Sequence, residues 1–134
     1  MACAPVMADL AQIRAEPNLE KRAHGALDNA ERALKASRKA YEGGDLQQTQ
    51  ALLDEVKDSV ALAEESLNAT GKNPIKSPRH FKYAEIKTED LLRKLDSLSR
   101  DMNVADRPMA DPVKAKLLEV HDSLLQGIMM GKKK

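Results

Sequence analysis

The stretch Tyr41-Glu42-Gly43-Gly44-Asp45-Leu46-Gln47-Gln48 decides the fold. Two adjacent glycines stop a helix, because glycine enters the left-handed region without a Cβ clash. Asp45 follows at once as an N-cap, its carboxylate placed to accept from backbone N–H groups. Gln48, three residues on, makes a capping-box-like pair with it. A connection this short holds the two helices as antiparallel neighbours.

Upstream of the turn, Leu19, Ala23, Ala26, Ala30, Ala33, Ser37 and Ala40 recur in steps of four and three. Leu27, Leu34 and Tyr41 widen that stripe, which predicts an amphipathic helix over about 19–41. Asn18 is its N-cap and Pro17 fixes the approach. The small side chains let a neighbouring helix come close. Downstream, Leu46, Thr49, Leu53, Val56, Val60, Ala63 and Leu67 keep the same rhythm to about Ala69, with Gly71 as the C′ residue.

Two further helices follow. Thr70 to Ser77 reads as a loop, marked by Gly and Asn-Pro. Ser77-Pro78 predicts a serine cap with proline at the first helical position. Phe81, Ala84, Thr88, Leu91, Leu95, Leu98 and Met102 then form an inner face, broadened by Leu92. Asn103 to Ala110 is the next connection, and Asp111-Pro112 repeats the cap-then-proline signal. Val113, Leu117, Val120, Leu124 and Ile128 make the fourth face. The expected architecture is all-α: an antiparallel up-down-up-down four-helix bundle over residues 17–131, with about six buried layers. Residues 1–16 are a short N-terminal extension and 132–134 a basic tail.

Composition agrees. The chain has 134 residues, enough for one domain. Apolar residues make up 42% and charged residues 32%, with 22 Lys and Arg against 21 Asp and Glu. A formal charge of +1 gives no global pull toward nucleic acid. Sparse aromatics argue against a β-rich fold, and the single cysteine, Cys3, excludes an internal disulfide. No apolar run is long enough for a membrane span. Val6-Met7-Ala8 resembles the tail of a signal peptide. The expected location is cytoplasmic as the sequence stands, or periplasmic or exported if translation starts upstream of Met1.

Reactive constellations are thin. His24, His80 and His121 fall at the borders of the stripes, so the expectation is boundary or surface placement. No Glu-x-x-His pair of the di-iron type occurs, nor a haem-attachment or phosphate-loop motif. A metal or haem carrier using His24 or His121 is the least favoured alternative. Asp54, Glu55, Lys57, Asp58, Glu64 and Glu65 read as a solvated face. No catalytic residue, cofactor or metal ligand is assigned, and the chain is read as not an enzyme. One charge feature departs from helix preference. Lys72, Lys76, Arg79, His80 and Lys82 surround a helix N-terminus, which already carries positive partial charge. They form a candidate pole for an anion or an acidic partner.

Three segments carry a resemblance: Tyr41-Glu42-Gly43-Gly44-Asp45, Ser77-Pro78-Arg79-His80-Phe81-Lys82, and Val120-His121-Asp122-Ser123-Leu124-Leu125-Gln126-Gly127-Ile128-Met129. From Glu16 onward the chain resembles a group of uncharacterised bacterial helical-bundle proteins that are often exported. The resemblance implies a fold and a compartment, but no reaction and no site residue.

The expected function is therefore that of a non-enzymatic interaction or structural module with a protein partner. Anion or acidic-partner binding at the pole is the alternative. Leu118, Leu125 and Leu92 are extra apolar positions that would serve a homodimer.

Overall fold

The computed structural model describes residues 10–130. The signal-peptide reading at Val6-Met7-Ala8 and the basic tail lie outside them. Four long helices dominate: α1 Leu19–Glu42, α2 Leu46–Ala69, α3 Arg79–Asp101 and α4 Asp111–Met130. A 3-10 helix, Val104–Ala110, joins α3 to α4. There is no strand among the described residues. No helix among them is long and apolar enough to cross a membrane.

The central turn forms as its residues dictate. Gly44 takes φ +80°, the left-handed region that a side chain would resist. Asp45 then caps α2, accepting from the backbone N–H of Gln48 at 2.9 Å. Asn18 caps α1 by accepting from Lys21 N–H at 3.0 Å. Two other expected caps are corrected. Pro78, not Ser77, occupies the N-cap position of α3, and no side chain caps it. Asp111 does not start α4 from an extended backbone either. It is already helical, because the 3-10 helix runs straight into α4. Arg107 closes the other end of that connection. Its guanidinium donates to the carbonyls of Met102 and Arg100, which the end of α3 leaves without helical partners. Tyr41 ties the same connection to α1, donating to Asp106 Oδ2 at 2.8 Å and accepting from Asn103 N–H at 2.8 Å.

Direction alternates up, down, up, down along the chain, as expected. α1 packs most extensively on α2, and α3 on α4. The two hairpins then lie side by side, with α1 against α3 and α2 against α4, while α2 and α3 touch little. The chain between α2 and α3 therefore crosses the diagonal of the bundle. Neighbours between the hairpins run parallel. The beginnings of α1 and α3 meet at His24 and His80, and their ends at Arg38 and Asp101. Pro74 of the crossing lies buried against α4. A Cβ on Gly127 would stand only 3.2 Å from its ring, so the glycine permits the close approach.

The core follows the four stripes. Leu27, Leu53, Val56, Leu67, Leu91, Leu95 and Leu117 are fully buried at its centre. Truncating one such leucine to alanine costs about 2–5 kcal/mol, since the cavity closes only partly. Leu46 departs from its stripe and is 46% exposed at the open end of α2. Residues 10–14 form a short helical turn on α1, with the Ile13 side chain 3.6 Å from the Cβ position of Gly25.

Candidate functional site

The pole where α1 and α3 begin gathers the predicted basic residues, but divides them. Lys72 Nζ lies 2.6 Å from Glu20 Oε2. His80 Nε2 stands 3.5 Å from Glu20 Oε1, and its Nδ1 is 2.9 Å from His24 Nε2. The His24 ring stacks on Tyr83, with centroids 4.1 Å apart and planes 6° from parallel. The Lys72 hydrogen bond holds the Glu20 carboxyl below its ordinary range, and the histidine charges add to this. Burial, with the His80 charge next in effect, pushes His24 below its ordinary value. Lys76, Arg79 and Lys82 are exposed and pair with no acid among the described residues. Two of the five predicted groups thus serve an internal cluster, and three remain a loose surface patch.

A second cluster lies in the seam between α3 and α4. Glu85 and Glu89 stand one turn apart on α3, and His121 reaches across from α4. His121 Nε2 is 2.8 Å from Glu85 Oε2, and both side chains are largely buried, at 15% and 16% exposure. His121 Nδ1 lies 3.4 Å from Asp122 Oδ1. One donor atom from each of Glu85, Glu89 and His121 can be chosen so that all three lie within 4.8 Å of one another. No lysine or arginine among the described residues pairs with Glu85 or Glu89. The other acids of α3 differ. Asp90 pairs with Arg93 and Lys94, Asp96 with Arg100 and Lys114, and Asp101 with Arg38. The Lys94 ammonium, with Arg93 beside it, holds the Asp90 carboxyl below its usual range.

No family model matches this chain, and no curated protein matches it.

The α1–α2 interface holds a polar cluster that the sequence reading missed. Glu55, expected on a solvated face, is only 3% exposed. Asn29 is fully buried, and its amide donates to Glu55 Oε2 and to Ser59 Oγ, both at 2.9 Å. Arg32 donates in turn to Asn29 Oδ1 at 3.3 Å. Leu52, Glu55, Ser59, Leu62 and Ser66 form a second buried stripe on α2, beside the predicted one.

The surface shows two further features. An open cleft of about 300 Å³ between α2 and α4 has Ala61 and Ala115 in its wall and Lys57, Asp58, Lys116 and Glu119 around it. Their alternating signs select no single ligand charge. On the flank of α4 toward α3, Leu118 is 42% exposed, Leu125 37% and Met129 70%. Leu92 is not part of this flank's exposed surface; it is half-buried against the core.

The histidines sit at the stripe borders as expected, each partly buried. Their partners could not be read from spacing, because His24–His80 and His121–Glu85 depend on how the hairpins meet. One signal for the seam was visible: Glu85 and Glu89 form a like-charged i,i+4 pair, which helices disfavour.

Proposed function

We propose that this chain is a non-enzymatic interaction module that pairs with a second copy of itself through the flank of α4. The observation carrying this reading is the exposed row of Leu118, Leu125 and Met129. The two leucines are seven residues apart, the repeat with which one helix meets another. Such a row is self-complementary about a twofold axis near His121 and Asp122. Leu118 of one copy then meets Leu125 of the partner subunit. An anion-binding role at the basic pole has less support, because Lys72 and His80 are already engaged by Glu20 and His24.

Sedimentation at increasing concentration tests the proposal. The wild-type chain should shift from monomer to dimer, and the double variant Leu118→Glu/Leu125→Glu should stay monomeric with unchanged helicity. A wild-type chain that remains a monomer at every concentration overturns it.

A further inference from the structure

We propose that Glu85, Glu89 and His121 form a binding site for one divalent transition-metal ion of the zinc type, in the seam between α3 and α4. This inference uses residues of a single chain and does not depend on self-pairing.

Geometry comes first. Residues four apart on a helix share a face, so both carboxylates project toward the same side of α3. α4 brings the imidazole to that side from a facing helix, and the three donor atoms lie within 4.8 Å of one another. A tetrahedral zinc with bonds of about 2.1 Å needs donors about 3.4 Å apart. Rotation of the exposed Glu89 side chain brings the set to that separation, since it is the least confined of the three. Helices on both sides of the seam hold the remaining two donors firmly.

Charge points the same way. Glu85 and Glu89 repel one another, and no described lysine or arginine offsets them, unlike the other acids of α3. A doubly charged cation balances the pair. In the metal-free chain His121 Nε2–H donates to Glu85 Oε2 at 2.8 Å. Metal binding replaces that proton, and the other ring nitrogen, Nδ1, then carries the N–H, with Asp122 Oδ1 3.4 Å away to accept from it. A carboxylate behind a histidine ligand is the usual outer support of a zinc site. Binding displaces to solvent any proton shared between Nε2 and Glu85. One imidazole with two carboxylates suits zinc or cobalt; calcium seeks six or more oxygens. Three protein donors leave a fourth position for water.

The full-length chain, produced without a histidine tag and stripped with a chelator, is titrated with Zn²⁺ by calorimetry. A parallel Co²⁺ titration is followed by visible absorption. The expected result is one ion per chain. His121→Asn and Glu89→Gln should each weaken binding about tenfold or more. His24→Asn, which removes a different partly buried imidazole, should leave it unchanged. Glu89 is exposed, so Glu89→Gln keeps the fold and carries the test even if His121→Asn does not fold. Binding that persists in Glu89→Gln, binding lost in His24→Asn, or no binding of either ion overturns the proposal.

Discussion

Asn29 shows how much a single side chain can carry in this bundle. Its amide has no access to solvent and holds both Glu55 and Ser59 across the α1–α2 interface. Asn29→Ala removes both bonds and leaves buried acceptors short of a donor. It should destabilise the chain by about 2–4 kcal/mol, read from urea unfolding. Ser66 is the opposite case, since its buried hydroxyl has no hydrogen-bond partner. Ser66→Ala discards an unrewarded desolvation, so the same experiment should show no loss and up to about 1 kcal/mol of gain. His24 gives the molecule a pH dependence. Its folded value lies below the ordinary 6.5, chiefly through burial. Below 6.5 the unfolded chain therefore binds more protons than the folded chain. The stability that His24 contributes is present above that value and is lost as the pH falls through the folded one. Melting temperatures of His24→Asn should decline less over that window than those of the wild type; parallel curves would refute the assignment. Few of these residues were legible beforehand. Glu55 sits among charged neighbours in sequence, and only the closeness of α1, allowed by its alanines, buries it.

Helices and their ends were the most legible level. The stripes of α3 were read residue for residue, because Phe81, Ala84, Thr88, Leu91, Leu95 and Leu98 have no competing apolar face. α2 was read only in part, since it is buried on two sides and its second stripe contains polar residues. The cap of α2 was legible because Gly44 and Asp45 impose local geometry. Ser77 and Asp111 failed as caps for a different reason. Each adjoins backbone that already turns, so the serine is displaced by one residue and the aspartate is absorbed into continuous helix. Glycines separate these cases experimentally. Gly44→Ala forces a side chain into φ +80° and should cost about 1–2 kcal/mol. Gly25→Ala lies inside α1, where the new methyl meets Ile13 at 3.6 Å, an ordinary contact. It should stabilise the chain by about 0.5–1 kcal/mol through helix propensity. Thermal melts of the two variants should therefore move in opposite directions.

At the scale of the whole molecule, the alternation of helix direction was legible and the order of neighbours was not. The loop between α2 and α3 is long enough to reach either adjacent or diagonal ground. Its course is fixed by Pro74 against Gly127 and by the polar links across α1 and α3. The candidate seam was hidden for the same reason: Glu85, Glu89 and His121 converge only once α4 turns back along α3. The diagonal crossing also bears on how the chain assembles. Each hairpin draws its main contacts from residues close in sequence, so it closes over a small loop at low entropic cost. Joining the two hairpins closes longer stretches of chain and carries the larger entropic cost. The most exposed fastenings between them, Glu31 with Lys87 and Lys94 and Arg38 with Asp101, are those that dissolved electrolyte weakens first.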